Sequence, residues 1–213
     1  MTTAIVGPHQ AIPVSTAREN FCAELFDTLW DRYRQRVSYV QTYEQVIQQA
    51  GATFVNDHIA FRTLAGQQPT TGIVSLSRIF ETLGYVAAGC YQFPDKNLSS
   101  THFQHPNGQF PKIFISELRS WELSGAAQAI VARTLRGHRA PLSDAALARL
   151  YRVNDATQGD LLDLVTAQFH ELPWDLPEKA DVAALNKESQ FGAWVLVHGY
   201  NVNHYTALIN SQG

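Results

Sequence analysis

Two histidines and one arginine stand out by residue type and setting. His58 and Arg62 lie four apart in Phe54-Val-Asn-Asp-His-Ile-Ala-Phe-Arg-Thr-Leu64, a β-branched and aromatic run that predicts a strand. Side chains alternate faces along a strand, so His58, Ala60 and Arg62 share one face with Asn56 just before them, and Val55, Ile59 and Phe61 fill the other. Such a strand has an apolar back that can be buried and a polar front that can do chemistry. His204 lies in a second strand-like run, Val202 to Ile209, at the far end of the chain. An imidazole among apolar residues costs free energy unless it has a partner. Here Asp57 and Asn203 each precede a histidine and can orient its ring by hydrogen bonding. Two neutral imidazoles and one carboxylate make the facial triad of non-haem Fe(II) oxygenases, and a guanidinium fork such as that of Arg62 holds a carboxylate through two hydrogen bonds. The competing readings are a pair of satisfied core histidines and, for Arg62, a structural ion pair with Asp57 or a glutamate.

The other histidines read more plainly. His9 falls in an N-terminal arm, His138 among arginines, His170 at a helix end and His198 beside a turn, all surface or cap positions. His102 and His105 are three apart, on opposite faces if extended and on one face if helical, so local conformation decides whether both can touch one metal.

The elements that must position these residues follow from spacing. The first dozen residues read as an arm ended by Pro13. Ser15 or Thr16 can cap a helix whose buried stripe is Phe21, Leu25, Leu29, Tyr33 and Val37. A short helix over Thr42 to Gln49 stops at Gly51. After the His58 strand, Ile73, Leu76, Ile79, Phe80 and Leu83 have helical spacing with Gly84 as stop, and Tyr85 to Tyr91 reads as a strand. Pro94 to Gly108 reads as a loop with a short extended piece at 101–105. Ile113 to Leu118 is apolar enough for a strand inside a sheet, with Glu117 near its end. Ser124 to His170 predicts three short helices, punctuated by the cap-like Ser143-Asp144 and a break at Gly159-Asp160. Glu171 to Glu178 is a proline-punctuated connector, and a brief helix covers 181–187. Phe191 to Val197 is expected as a strand, joined through a turn at Gly199-Tyr-Asn-Val to the His204 strand as a hairpin.

Composition narrows the function classes. The 213 residues, 45% hydrophobic, suffice for one core with additions. A net charge of −3 argues against nucleic acid as a partner, and Arg32-Tyr-Arg-Gln-Arg36 has the spacing of a solvated helix face. Cys22 and Cys90 are two thiols far apart, without the spacing of a disulfide framework or thiolate zinc site. No basic leader precedes an apolar core and no window reaches membrane-spanning length, so the expectation is a cytoplasmic protein with reduced thiols and no membrane partner.

Several segments taken together point further. Phe54 to Thr63, Phe110-Pro-Lys-Ile-Phe-Ile-Ser-Glu-Leu118, Pro173-Trp-Asp-Leu-Pro177, Glu188-Ser-Gln-Phe-Gly-Ala-Trp194 and Asn203-His-Tyr-Thr206 resemble, in order and from about Phe21 onward, the 2-oxoadipate dioxygenase/decarboxylase (hydroxyglutarate synthase) family. The resemblance implies an α+β fold of the vicinal-oxygen-chelate, or glyoxalase-like, type, with a curved mixed β-sheet around a metal. Length and spacing give one domain: N-terminal helices over 14–50, a first sheet segment over 52–118, a helical insertion over 119–172, and a connector with a hairpin over 173–213 that on the resemblance binds the metal. The resemblance further implies Fe(II) held by two histidines and a glutamate, and conversion of 2-oxoadipate and dioxygen into 2-hydroxyglutarate and carbon dioxide, a step of lysine breakdown. His58 matches the first ligand, His204 the second, and Arg62 the arginine that holds the substrate; a homo-oligomer is left open.

The third ligand has no match. The family's glutamate lies on a strand well beyond the second histidine, whereas this sequence runs nine residues past His204. Three alternatives stand open: a truncated form lacking its last strands, a carboxylate substituting from elsewhere, or a fold kept without the reaction. Glu117 and Glu188 sit in matching motifs, but the resemblance carries the ligand role to neither. A glyoxalase-like sheet without its last strands is expected to expose an edge and part of its core, inviting dimerisation.

Overall fold

The computed structural model describes residues 7–139 and 142–208. Two helices open it, α1 over Ala17–Arg36 and α2 over Ser38–Gln49. Thr16 caps α1 in a reciprocal capping box with Glu19. The predicted stripe is buried through Tyr33, but Val37 is the extended residue that ends α1, so α2 starts four residues earlier than its periodicity suggests. The arm packs back onto α1 from residue 7; its first six residues lie outside the described ones.

Strand β1 (Asn56–Leu64) is followed by the tiny ribbon β2 (Gly66–Gln67) and β3 (Thr70–Thr71), helix α3 (Ile73–Thr82), and strands β4 (Val86–Phe93), β5 (Leu98–Gln104) and β6 (Lys112–Leu118). The chain then enters helices α4 (Gly125–Arg136), α5 (Asp144–Tyr151), α6 (Gln158–His170), α7 (Lys179–Asn186) and α8 (Gln190–His198), and closes with β7 (Val202–Ala207). The three helices expected between Ser124 and His170 are present, and Ser143 caps α5 as its type predicts. Gly159-Asp160 lies inside the first turn of α6 rather than between helices.

The five main strands run in the order β4-β5-β6-β1-β7. β6 lies parallel to β1, and the other neighbours are antiparallel. Among the described residues this is a mixed sheet that does not close, with β4 and β7 as edges. β6 is interior, as its apolar run predicts, and β5 turns much of the expected 94–108 loop into strand. The back of the sheet is the core. Ile59, Phe61, Ile113 and Ile115 are at most 1% exposed, each contributing about 1.5–3 kcal/mol by leaving water. Phe61 meets Phe80 of α3 at 5.2 Å and Phe169 of α6 at 4.9 Å, and Tyr205 of β7 meets Trp30 of α1 at 4.9 Å between ring centroids. Val55, expected among these, precedes the strand and is 36% exposed. At the exposed edge, β4 presents Val86, Tyr91 and Phe93 to solvent.

One prediction fails outright. Phe191 to Val197 is not a strand and makes no hairpin with the His204 segment; it is helix α8, capped by Ser189, whose hydroxyl accepts from Gly192 N at 3.0 Å. Short apolar runs suit a buried helix and a buried strand equally, and periodicity cannot separate them. β7 pairs instead with β1, and Gly199, at φ +57°, makes the turn from α8 into the approach to β7.

Candidate metal and carboxylate site

The front of β1 carries His58, Ala60 and Arg62, with Ile59 and Phe61 behind, as alternation requires. β7 runs antiparallel beside it, placing His204 opposite Ala60 and Thr206 opposite His58. The two imidazoles therefore converge, His58 Nε2 standing 3.3 Å from His204 Nε2. Each ring is held from its other nitrogen, His58 Nδ1 by Asp57 Oδ2 at 2.8 Å and His204 Nδ1 by Asn203 Oδ1 at 2.9 Å. An oxygen acceptor at Nδ1 keeps the proton there and leaves Nε2 with its lone pair. The Thr206 hydroxyl lies 3.0 Å from His58 Nε2 and can donate to it.

Two lone pairs facing one another at this distance call for a proton or a cation between them. Metal–nitrogen bonds of about 2.0–2.1 Å at adjacent positions of a coordination sphere put their nitrogens roughly 3.0–3.4 Å apart, so this pair fits two ligands of one metal ion. The charges agree. His204 is held below the ordinary imidazole range by burial first and then by the neighbouring His58 and Arg62, which favours the neutral, ligating ring. Burial would raise the Asp57 carboxyl, but its hydrogen bonds to His58 and to Lys112, whose Nζ is 3.3 Å away, outweigh that and hold it low. Among the described residues no third His, Cys, Asp or Glu joins the pair in a metal-sized group.

Asp57 is thus committed to His58 and Lys112 and is not the partner of Arg62. Arg62 has no carboxylate within ion-pair distance among the described residues. Its guanidinium carbon lies 5.0 Å from the Phe191 ring and 5.1 Å from the Trp194 ring of α8, and burial lowers its affinity for its proton. Gly192 permits this approach, because a Cβ there would meet Leu118 Cδ2 at 2.8 Å. A half-buried cation on an aromatic platform, with its donors unspent on any acid, is suited to an anion from outside.

Beyond the histidines the front continues as an aromatic wall. Phe114 lies 5.0 Å from His58 and 5.2 Å from His102, and His102 Nδ1 is 3.1 Å from the Tyr91 hydroxyl. His102 therefore faces the site, while His105 packs against Tyr85 and Phe110 behind the sheet; the extended conformation separates them, and no metal is shared.

Three sequence expectations need correction here. Asn56 does not line the front: a register break between Asn56 and His58 turns it toward His9, and Asp57 reaches round to the front instead. His9 is not a surface residue but 1% exposed. Half-buried His138 bonds the Tyr200 hydroxyl at 2.8 Å rather than standing free. Thr206, Lys112, Phe191 and Trp194 were not foreseen. The last two are read as helix neighbours of Arg62 only once the 191–197 run is known to be helical. Glu117 and Glu188 have structural work: Glu117 Oε2 accepts from Ile73 N at 2.8 Å at the start of α3, and Glu188 accepts from Ser124 N at 2.5 Å and Ser124 Oγ at 2.6 Å at the start of α4.

The family model described as 2-oxoadipate dioxygenase/decarboxylase matches residues 23–211. The chain is 35% identical over 160 residues to the chloroplastic/amyloplastic 2-oxoadipate dioxygenase/decarboxylase of Oryza sativa subsp. japonica, covering 70% of this chain and 38% of that protein. It is 28% identical over 167 residues to the chloroplastic protein of that name from Arabidopsis thaliana, covering 72% of this chain and 39% of the relative. It thus spans about two fifths of the length of these curated relatives. Among solved structures, hydroxyglutarate synthase from Oryza sativa in complex with 2-oxoadipate superposes with a TM-score of 0.75 at 27% identity, covering 100% of this chain and 65% of that one. A glyoxalase superfamily protein from Ralstonia eutropha JMP134 superposes at 0.83 with 24% identity, covering 97% and 67%. With a glyoxalase-like mixed sheet and a family match over nearly its whole length, the chain belongs to the 2-oxoadipate dioxygenase/decarboxylase family.

Proposed function

We propose that this chain carries two of the metal ligands and the carboxylate clamp of an Fe(II)-dependent dioxygenase/decarboxylase, which converts a 2-oxo dicarboxylic acid such as 2-oxoadipate, with dioxygen, into 2-hydroxyglutarate and carbon dioxide. The observation that carries it is the convergence of His58 and His204 at 3.3 Å, within the front that also bears Arg62, which has no carboxylate partner among the described residues. His58 and His204 would hold Fe(II), which supplies one-electron chemistry with dioxygen when bound. Asp57 and Asn203 keep both ring protons on Nδ1, so both Nε2 lone pairs stay available. Arg62 holds the carboxylate of the substrate remote from the reacting end, and Phe191 and Trp194 keep its fork from swinging. Phe114 and His102 give the substrate chain an apolar wall and keep water from one side of it. The two free thiols accord with a reducing compartment.

The test is anaerobic reconstitution with Fe(II) followed by oxygen uptake on adding 2-oxoadipate. Uptake with stoichiometric carbon dioxide supports the reading, and a protein that holds iron yet consumes no oxygen with this or a shorter 2-oxo dicarboxylate sinks it. One observation favours a second reading. Without a third donor beside the two histidines among the described residues, the chain by itself would bind a dicarboxylate or metal without turnover, and calorimetric binding of 2-oxoadipate without oxygen uptake would select it.

A further inference from the structure

The N-terminal arm reaches into the sheet at the point where the two histidines are set. His9 Nδ1 lies 2.7 Å from Asp27 Oδ1 of α1, and the His9 backbone N donates to the same oxygen at 2.9 Å. Gly7 fits over this carboxylate because a Cβ there would stand 2.2 Å from Asp27 Cγ. The other ring nitrogen, His9 Nε2, is 2.9 Å from the Asn56 side chain. In the amide orientation that sets no donor against a donor, Asn56 accepts from His9 Nε2 at 2.9 Å and donates through Nδ2 to the carbonyls of His58 at 2.9 Å and Thr206 at 3.2 Å.

Those carbonyls belong to His58 and Thr206, which face each other across β1 and β7 on one side of the register break, Asn56 and Ala207 standing on the other. Such a break takes backbone groups out of the ladder, and buried carbonyls need a donor from somewhere. The Asn56 amide provides it to both strands at once. His58 and Thr206 are also the residues whose side chains meet at 3.0 Å, and His204 comes two positions before Thr206 in β7. A buried imidazole wedged between a carboxylate and an amide is costly to install where an apolar side chain would fill the same space, so what this arrangement adds over packing is direction.

We infer that His9 is a positioning residue: through Asn56 it fixes the offset of β1 against β7 at the break, and with it the separation of His58 Nε2 and His204 Nε2. The inference rests on the two-histidine metal reading only for what that separation serves. Two substitutions separate it from simple packing. His9→Gln places an amide donor near the Nε2 position and keeps the link to Asn56. His9→Asn keeps a donor near the Nδ1 position for Asp27 and cannot reach Asn56.

The experiment measures three things on the full chain: backbone amide shifts of His58 and Thr206 in the metal-free protein, Co(II) affinity by optical titration, and the melting temperature. The expected result is wild-type behaviour within about twofold for H9Q. For H9N, shifted His58 and Thr206 amides and a roughly tenfold loss of Co(II) affinity are expected, at a melting temperature matching that of H9Q. Equal effects of the two substitutions, in proportion to lost stability, would overturn the inference, as would unmoved His58 and Thr206 amides in H9N. Should the wild type bind no Co(II), the metal reading falls by itself. The amide shifts then decide alone, supporting the positioning role if H9N moves them and H9Q does not, and overturning it otherwise.

Discussion

At His58 the two ring nitrogens have separate tasks, one answering to Asp57 and the other open to the front. The Asp57 carboxylate is shared with Lys112, so it is held in place as well as ionised. Asp57→Asn keeps the shape but offers an amide that can turn its NH2 toward the ring, losing the preference for a proton on Nδ1. We expect a loss of metal affinity of about 10–100-fold with little change in stability, read by Co(II) titration beside thermal melting. Arg62 calls for a different measurement. Lysine keeps the charge but not the planar fork or its stacking on Phe191 and Trp194. Arg62→Lys should therefore raise KM for the dicarboxylate at least about tenfold and leave metal affinity within about twofold; a lost metal site would mean that Arg62 supports the histidines and not the substrate.

Among the elements, α8, Glu117 and Glu188 carry the argument. Glu117 holds the first amide of α3 and Glu188 holds Ser124, the cap residue of α4, so Glu117→Ala should cost about 1 kcal/mol of stability and neither Glu117→Ala nor Glu188→Ala should disturb metal binding. Equilibrium denaturation paired with Co(II) titration checks this, and loss of metal from Glu117→Ala would make it a ligand after all. Gly192→Val drives a branched side chain into Leu118 and Leu185 at a close helix–sheet contact, with an expected loss of about 1–3 kcal/mol in a denaturant melt. This is also the scale at which the sequence speaks unevenly. β1, β6, α1, α3 and the three lobe helices follow from period, cap and stop residues, and the pairing of Asp57 and Asn203 with the imidazoles follows from adjacency. The run from Phe191 to Val197 does not, because a segment apolar on every side has no face to reveal. Nor do His9 and Asn56, whose meeting depends on a register break that no spacing announces.

For the whole molecule the relevant group is His170, in the last turn of α6. Burial, then the charges of Arg32 and Arg36, push its imidazole down to about 4. An unfolded histidine binds its proton near 6.5. Between those values the unfolded chain takes up a proton that the folded chain refuses, so this contribution to stability is complete above about pH 6.5 and is lost as pH falls toward 4. With solvent screening of a half-buried ring it amounts to about 1–2 kcal/mol. Melting temperatures measured at pH 7 and pH 4.5 should converge more closely in His170→Gln than in the wild type; parallel curves would show that this histidine does not take part.

The antiparallel contact of β1 with β7 also governs when the site can exist. His58 and His204 are 146 residues apart, and almost every other element of the sheet and the whole helical lobe is encoded between them. Pairings of such high contact order are slow to form, since the entropy of closing a long loop is met before the contact rewards it. The β1-α3-β4-β5-β6 unit can assemble from neighbours in the chain, whereas His58 and His204 meet only when β7 docks. During synthesis and refolding alike, His58 stands without His204 until β7 arrives, so on the metal reading proposed above, competence to hold metal should appear in the slowest phase of folding.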